Sequence, residues 1–236
     1  MNLQRLDKII SSQTGISRKE ARADIRRGLV SADGNTVKDC SAQFNAEKVQ
    51  ITYKGQALNY KKFIYIIMNK PKGVLSASND RTRKTVVDLV PDELKRKALF
   101  PAGRLDRDTT GLLIITDDGD FAHRIISPKK HIYKTYMAEL DGEVTCEIKE
   151  TFSSGVVLAD GTVCRPAELT VYDGNWAAIR ICEGKYHQIK RMFGTVGLGV
   201  NSLKRTAVGK LRLPEDLQPG QSRELTDREL KLIFEN

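Results

Sequence analysis

The sequence predicts a protein of mixed helices and strands, in which a small basic module precedes a larger domain. Three observations support this organisation. In the N-terminal part, apolar residues recur at helical spacing and a capping-box signature follows them. The near-continuous apolar run at residues 63–68 is typical of a strand buried on both faces. The polar, basic stretch just before that run resembles a linker. We therefore place the module at residues 1–58, the linker at 59–62 and the larger domain at 63–236.

The charge balance is the strongest feature of the composition. The chain carries 39 Lys and Arg against 30 Asp and Glu, which gives a net charge of +9 and a pI near 9.4. Such an excess favours a polyanionic partner, because each neutralised phosphate releases condensed counterions. A merely soluble basic protein would show the same balance, so charge alone leaves both interpretations open. With 40% hydrophobic and 29% charged residues, the chain does not belong to the disordered class.

The four cysteines indicate a reducing compartment. They form no CxxC pair and have no histidine cluster beside them, a pattern that fits buried thiols better than a zinc site or a disulfide framework. The first ten residues carry three charges and no apolar signal core. No segment approaches the about 18 apolar residues that a transmembrane helix needs. We therefore expect a cytoplasmic protein without a membrane partner.

A row of arginines marks the second helix of the N-terminal module. Ser17 lies three residues before Glu20, which is a capping-box signature for the start of a helix. One face of that helix carries three arginines at four-residue spacing: Arg18, Arg22 and Arg26. Guanidinium groups one turn apart suit the spaced phosphates of RNA, although a charged helix face is often only solvated. The Asp33-Gly34 pair then predicts a tight turn between two short strands.

Residues 103–119 are the most informative stretch for chemistry. A polar loop runs into an apolar strand and then into a second acidic turn. Within the loop, Asp106 lies between Arg104 and Arg107, and nearby glycines permit close approach of a backbone. A loop aspartate is commonly a turn or capping residue, so this pattern alone leaves the role of Asp106 open.

The same aspartates also fit part of the frame of a calcium-binding EF-hand. The matching residues are Asp106, Asp108, Thr110, Gly111 and Asp117. That motif requires flanking helices, yet a proline and a glycine precede the loop and an apolar strand supplies its later positions. The last position also lacks the usual glutamate. The sequence therefore favours a loop that binds no metal.

A basic helix face is predicted after the strand expected at residues 176–182. In residues 183–196, one helical face is apolar and the other is basic. The basic side chains are His187, Lys190 and Arg191. A single histidine in such a place is more often structural than catalytic. Lys190 beside Arg191 is less easily explained by structure alone, because the pair places positive charge where a loop follows a strand.

Two further helices are predicted from spacing and capping signals. Apolar residues four apart predict a core-facing helix over residues 143–152, with the stripe Val144, Ile148 and Phe152. Thr226 and Glu229 form a capping-box signature that predicts a C-terminal helix.

Four motifs follow one another along the chain. One is Gly-Arg-Leu-Asp-x-x-Thr-x-Gly-Leu-Leu around the aspartate, at residues 103–113, and the other three lie at residues 69–73, 134–136 and 183–192. Their sequences and their order are similar to those of the RsuA-type pseudouridine synthases of bacterial ribosomal RNA, and the chain resembles that family over essentially its whole length. Residues 2–58 resemble an S4 domain, an RNA-binding module appended to several classes of enzyme.

This resemblance implies isomerisation of a uridine within RNA, in which the N1–C1′ bond breaks, the uracil turns and C5 bonds to C1′. Asp106 matches the family's nucleophile, and attack on the ribose, addition to the base and a glycal route all stay open. Tyr136 matches the tyrosine that stacks on the uracil and helps to move the C5 proton. Lys190 matches the basic residue that pairs with the catalytic aspartate. Arg104 matches a residue that helps to fill the gap left by the flipped base.

The resemblance also implies the fold and the partner. It implies an α+β protein: a small S4-like RNA-binding domain, then a catalytic domain with a long mixed, mainly antiparallel sheet, flanking helices and a cleft. Further substrate contacts are expected from Arg18, Arg22, Arg26, Lys70, His187, Gln188 and Arg191. No metal or other cofactor is implied. The implied partner is ribosomal RNA or a ribosomal subunit assembly intermediate, and we expect a monomer.

The compact length, which ends soon after the helix at Thr226 without a long basic tail, favours 16S small-subunit rRNA as the substrate. A 23S rRNA pseudouridine synthase is the alternative within the family. A non-catalytic rRNA-binding assembly factor on the same fold is the alternative outside it. The presence of Asp106, Tyr136 and Lys190 argues against that last alternative.

Overall fold

The computed structural model describes residues 3–172 and 175–235. Contacts divide the chain into two compact units. The first comprises the residues up to Ile64 together with Pro91–Leu99, and the second comprises Tyr65–Val90 and the residues from Phe100 onward. The segment Pro91–Leu99 therefore packs with the first unit, although the boundaries placed from the sequence assign it to the larger domain.

The described residues of the first unit form two helices and six short strands. In chain order these are β1 (Gln4–Arg5), α1 (Leu6–Thr14), α2 (Arg18–Arg26), β2 (Val30–Ala32), β3 (Asn35–Thr36), β4 (Gln43–Phe44), β5 (Ile51–Tyr53) and β6 (Gln56–Ala57). Strand β1 pairs with β4, and a separate sheet has the order β3-β2-β5-β6. The returning segment contributes a 3₁₀ turn at Asp92–Leu94.

Local sequence signals explain how this unit folds. Ser17 and Glu20 form the predicted capping box: the Ser17 Oγ accepts a hydrogen bond from the Glu20 N–H at 3.2 Å, and the Glu20 carboxylate accepts one from the Ser17 N–H at 2.8 Å. Asp33 and Gly34 both have positive φ, as a tight hairpin turn between β2 and β3 requires. Apolar residues of α1, α2, β2 and β5 meet in one buried core, which includes Ile9.

The second unit contains nine strands and four helices in the described residues. In chain order these are β7 (Tyr65–Lys70), β8 (Phe100–Pro101), β9 (Thr110–Thr116), α3 (Gly119–Ile126), β10 (Lys134–Leu140), α4 (Cys146–Ser154), β11 (Glu168–Val171), β12 (Trp176–Ile181), α5 (Gln188–Thr195), β13 (Val200–Val208), β14 (Leu211–Arg212), β15 (Ser222–Glu224) and α6 (Asp227–Leu232). Short 3₁₀ turns lie at Val87–Leu89 and Pro128–Lys130.

These strands form one mixed sheet with the order β11-β12-β10-β13-β9-β7-β15, with β14 on β13 and β8 on β9. Strand β13 pairs with β9 in parallel, and the other pairings of this sheet within the described chain are antiparallel. The expected α+β class with a mainly antiparallel mixed sheet is therefore confirmed. The apolar run predicted as a buried strand forms β7, which begins two residues later, at Tyr65.

The prediction of a core-facing helix over residues 143–152 is wrong in its start and in most of its stripe. The Thr145 hydroxyl accepts a hydrogen bond from the Ile148 N–H at 3.4 Å and caps the helix, so α4 begins at Cys146 and leaves Val144 outside it. Phe152 is the only described residue of α4 that is buried. Most of the predicted apolar stripe is therefore not buried, and α4 packs against the core through the single aromatic side chain of Phe152.

Gly111 sits where β9 and β13 approach most closely. It has a φ of 98°, and a Cβ built on it would lie 2.2 Å from the backbone oxygen of Arg205. Arg205 is itself buried and donates from Nε to the carbonyl of Leu112 at 2.7 Å, which ties the two strands together. Only glycine fits this position, because any side chain would collide with backbone that cannot move.

We expect Gly111→Ala to destabilise the protein by about 3 kcal/mol or more, since it adds both backbone strain and overpacking. Urea unfolding of the purified variant measures this cost. Gly119→Ala is the matched control: its Cβ would meet nothing within 4 Å at the start of a helix, so stability should change by less than about 1 kcal/mol. Equal stability of the two variants would contradict the close strand approach.

Candidate active site

The loop that carries Asp106 is fixed on both sides of that residue. The Ser76 hydroxyl donates to the carbonyl of Leu105 at 2.8 Å and accepts from the Leu105 N–H at 3.1 Å. After Asp106, the Thr109 N–H donates to the carbonyl of Asp106 at 3.1 Å and closes a turn. The Asp106 side chain itself remains 30% exposed. The backbone is thus held by hydrogen bonds while the carboxylate is free to face a ligand.

Lys70 lies beneath this loop, where its side chain is fully buried. Its Nζ donates to three backbone carbonyls, those of Pro71 at 3.1 Å, Arg107 at 3.2 Å and Thr109 at 2.9 Å. An ammonium has three N–H donors, and all three are used here. Lys70 was expected to contact substrate, and the structure contradicts this. Strand β7 extends as far as Lys70, and the side chain is buried in the interior. Burial lowers the pKa of the Lys70 amine to about 8, although the negative charges of Asp108 and Asp106 act to raise it.

Asp106 and Tyr136 line the same pocket, which is open to solvent. Tyr136 comes from β10, where alternate side chains are buried, and only 8% of it is exposed. Several residues predicted to act at the site also line this pocket: Arg104, His187, Gln188 and Lys190. Asp106 is the only carboxylate among the described lining residues. The pocket therefore joins one acid, one aromatic ring and a basic rim.

His187 is the side chain nearest to the Asp106 carboxylate in the described ion pairs, with Nε2 3.5 Å from Oδ1. It has a φ of 48° and directly precedes α5. Gln188 fixes this turn from inside: its amide donates to Glu183 at 2.7 Å, and its oxygen accepts from the Lys185 N–H at 2.9 Å. Gln188, expected to contact substrate, is buried and commits both ends of its amide to the turn.

Lys190 does not pair with Asp106, so that expectation was wrong. Its Nζ lies 2.5 Å from Oδ2 of Asp108 instead, and this hydrogen bond lowers the pKa of the Asp108 carboxyl. The reason is geometric, because His187 occupies the position beside Asp106 and α5 brings Lys190 towards the next acid of the loop. Arg191, on the same helix, pairs with Asp160 at 2.5 Å. Lys190 and Arg191 are thus each paired with an acid.

Arg104 is exposed at the pocket. Within residues 3–172 and 175–235, no carboxylate lies within 4 Å of its guanidinium. It therefore differs from Lys190 and Arg191, and its charge is available for an anionic ligand.

The arginine row of α2 in the first unit has a structural task that its spacing did not reveal. Arg18 and Arg22 both bind the fully buried carboxylate of Asp7, at 3.0 Å and 2.8 Å, and Arg5 adds a contact at 3.3 Å. Burial alone would raise the pKa of Asp7, but the bonds from Arg22, Arg5 and Arg18 outweigh it and hold the pKa well below its usual range. Arg26 is exposed, and no acid in the described chain lies within 4 Å of it.

Ser76 went unnoticed in the sequence as a contributor to the site, because it lies in a polar loop without periodicity and no local signal could connect it with Leu105. In the first unit, the buried carboxylate of Asp7 also went unnoticed; its place in α1 among apolar residues was the available signal. The structure does not support the EF-hand alternative, because β9 begins at Thr110 and the later positions of the EF-hand motif lie in this strand. In the part of the chain that the structure describes, no group of three or more metal-ligating side chains gathers, and no helix is long and apolar enough to cross a membrane.

Known proteins resemble this sequence over nearly its whole length. A family profile described as RNA pseudouridylate synthase matches residues 64–195. The chain is 43% identical over 235 residues to an uncharacterized RNA pseudouridine synthase, YtzG, of Bacillus subtilis (strain 168), and the match covers 98% of each chain. The chain belongs to the RNA pseudouridylate synthase family.

A second relative and a solved structure support the assignment over nearly the whole of this synthase. The synthase is 39% identical over 231 residues to the ribosomal small subunit pseudouridine synthase A of Escherichia coli (strain K12), with 97% of this chain and 99% of the relative covered. A crystal structure of a pseudouridylate synthase superposes with a TM-score of 0.69 at 35% identity, covering 97% and 99% of the two chains. The predicted RsuA-type family and the prediction of an isomerase are therefore confirmed.

We expect turnover of the synthase at saturating RNA to fall as pH rises through about 8, the pKa of Lys70. A neutral amine has two N–H donors for three carbonyls, so the loop that carries Asp106 loses one hydrogen bond. Lys70→Met should have low turnover at every pH and should show no fall in turnover near pH 8. It should also reduce the free energy of unfolding by at least about 2 kcal/mol.

Lys134→Met is the control for this pH profile. Burial also lowers the pKa of Lys134 to about 8, but its Nζ donates to one carbonyl, that of Ile125, at 3.0 Å. The fall in turnover should persist in Lys134→Met. A fall that survived in Lys70→Met would assign the titration to another group.

In the first unit, we expect Arg26→Ala to reduce the slope of log Kd against log salt for RNA binding by about one, because one phosphate contact is lost. Its stability should not change, since Arg26 holds no acid. Arg22→Ala should instead destabilise the unit, because the buried Asp7 loses a partner. Filter binding at several salt concentrations and thermal unfolding separate the two effects. Identical melting temperatures for both variants would show that the Asp7 cluster is not structural.

Proposed function

We propose that this protein isomerises a uridine of 16S small-subunit ribosomal RNA to pseudouridine, with Asp106 as the nucleophile and with the target base flipped into the pocket. The observation that carries the proposal is that Asp106 is the only carboxylate among the described residues of a pocket that also contains Tyr136. An enzyme that hydrolysed the glycosidic bond would need a second carboxylate to activate water. An isomerase returns the same base to the ribose and has no water to activate.

Tyr136 is suited to hold the uracil during this turn. Its ring is almost entirely buried, and the guanidinium carbon of Arg205 lies 5.9 Å from its centroid. A ring fixed from behind offers one face and the hydroxyl to the pocket. We propose that this face stacks on the uracil and that the hydroxyl takes part in moving the C5 proton.

The basic residues at the site divide into three tasks in this proposal. Arg104, without a carboxylate neighbour in the described chain, enters the gap that the flipped uridine leaves. His187 stands beside the Asp106 carboxylate and limits its orientation. Lys190 acts through Asp108: the pair joins α5 to the loop and thereby holds Asp106 at a fixed distance from Tyr136.

The choice of substrate follows from the relative in Escherichia coli, whose name gives the small ribosomal subunit, and from the net charge of +9. We propose ribosomal RNA, free or within a subunit assembly intermediate, as the partner of a monomer that acts in the cytoplasm. Residues 1–58 serve as an S4-like RNA-binding domain, joined by residues 59–62 to the catalytic domain at residues 63–236. The exposed Arg26 supports RNA contact by this module.

We expect Asp106→Asn to bind rRNA normally and to form no pseudouridine. The amide keeps the shape of the side chain but cannot act as an anionic nucleophile, and phosphate contacts elsewhere supply most of the affinity. Tritium release from C5-labelled uridine and filter binding with the same RNA measure the two properties. Asp108→Asn is the control, because it shares the loop and loses the same charge but does not line the pocket. It should retain measurable release.

The substrate is tested with the same assay on small-subunit and large-subunit rRNA and on subunit assembly intermediates. The proposal predicts release from small-subunit RNA or particles alone. Release from large-subunit RNA would overturn the substrate assignment and leave the reaction in place. If the unmodified protein released no tritium from any of them, a non-catalytic assembly factor would replace the proposed function.

A further inference from the structure

Two aromatic rings stack on each other beside the pocket. The Tyr186 and His187 rings have centroids 3.9 Å apart and an interplanar angle of 19°. Tyr186 is 73% exposed, the largest exposure among the large hydrophobic residues that the structure describes. An aromatic ring that is covered on one face and open to water on the other is costly to hydrate and ready to accept a planar ligand.

The position of this stack is fixed relative to Asp106. His187, the inner ring, has its Nε2 3.5 Å from the Asp106 carboxylate and lines the pocket. The carbonyl of Tyr186 accepts a hydrogen bond from Arg191 at 3.4 Å, and Gln188 holds the turn from inside. A preformed surface loses little conformational entropy when it binds a ligand. The outer face of Tyr186 is therefore a rigid surface at a set distance from the reacting carboxylate.

We propose that the Tyr186–His187 stack is a platform for a nucleobase that neighbours the target uridine in the RNA strand. This inference rests on the proposed function, because it places the target uridine in the pocket beside Asp106. When one nucleotide enters that pocket, the adjacent nucleotide must lie at its edge, where the stack stands. Single-stranded RNA is commonly held by bases that stack on exposed aromatic side chains.

The charges around the stack favour RNA over an apolar protein segment or a membrane as the occupant. Arg104 is exposed at the same pocket and lacks an acid neighbour among the described residues, so its positive charge favours an anionic strand there. Lys185 precedes Tyr186 and also lines the pocket, but its Nζ pairs with Glu183 at 2.6 Å. An exposed ring beside an arginine without an acid neighbour matches a nucleotide, which carries a flat base and one negative charge.

The platform is tested by binding, without any need for turnover. The probe is a short fluorescent single-stranded RNA of repeated AUA triplets, compared with the same strand in which every adenine base is removed to leave an abasic ribose. Both strands keep a uridine for the pocket, and only the first offers bases to the platform. The unmodified protein should bind the first strand at least about fivefold more tightly, near the lower limit for stacking of one base.

Tyr186→Leu should reduce this preference to less than about twofold, whereas Tyr186→Phe, which keeps the ring, should retain it. Tyr172→Leu is the matched control, since Tyr172 is also an exposed tyrosine, 51% accessible, but no ring contact in the described chain joins it to a residue that lines the pocket. Thermal unfolding checks that the variants fold. An unchanged preference in Tyr186→Leu, or no preference in the unmodified protein, overturns the platform.

The two proposals fail in different ways. If the adenine preference depends on Tyr186 but rRNA releases no tritium, the platform stands as an RNA contact and the proposed function is wrong. If tritium is released and the preference does not depend on Tyr186, the proposed function stands and the platform is wrong. In an active enzyme, Tyr186→Leu should raise KM by about fivefold or more and leave kcat within about twofold, because the lost contact is with a neighbouring base.

Discussion

The buried ammonium of Lys70 is the interaction on which the site depends. It joins the end of β7 to both limbs of the loop around Asp108, through the carbonyls of Pro71, Arg107 and Thr109. Burying a charge is unfavourable unless each donor finds an acceptor, and here all three do. If either side of the loop moved, a buried N–H of the Lys70 ammonium would lose its acceptor. The position of Asp106 is therefore set by the interior of the sheet and not by the surface.

Around this centre, two acids of the second unit are paired with basic side chains. Asp108 is bound by Lys190 and Asp160 by Arg191, which reduces the free negative charge of each carboxylate. In the first unit, Asp7 is likewise paired with two arginines of α2, Arg18 and Arg22. Asp106 differs because its near neighbour is a histidine, whose charge depends on protonation. Asp106, the proposed nucleophile, therefore has no permanently charged partner in the described ion pairs.

The sequence predicted features that arise from local physics. The capping box at Ser17, the Asp33-Gly34 turn and the buried strand β7 all depend on residues a few positions apart, and all are present. The mixed, mainly antiparallel sheet followed from family resemblance, since periodicity alone shows strands and helices but not their order. The parallel pairing of β13 with β9 requires a glycine at position 111, yet a glycine in a loop motif does not reveal which strand it faces.

Two of the errors concerned charged residues, and these have a common cause. Lys70 stands in a polar, basic motif that resembles a surface loop, and only the direction of β7 buries it. Lys190 is 82 residues from Asp108 in the chain, and their contact depends on how α5 is placed against the loop. Long side chains can select among several acids that lie within reach, so a motif predicts the presence of a cation better than its partner.

Burial distinguishes the two tyrosines near Asp106 in a way that their motifs do not. Tyr136 is almost entirely buried and lines the pocket, which suits its proposed role of holding a base while the glycosidic bond is broken. Tyr186 is largely exposed to solvent, and its ring stacks on that of His187. A base bound there, as proposed, would remain in the strand and undergo no reaction. In the two proposals, the same aromatic chemistry thus serves catalysis where the fold excludes water, and recognition where it does not.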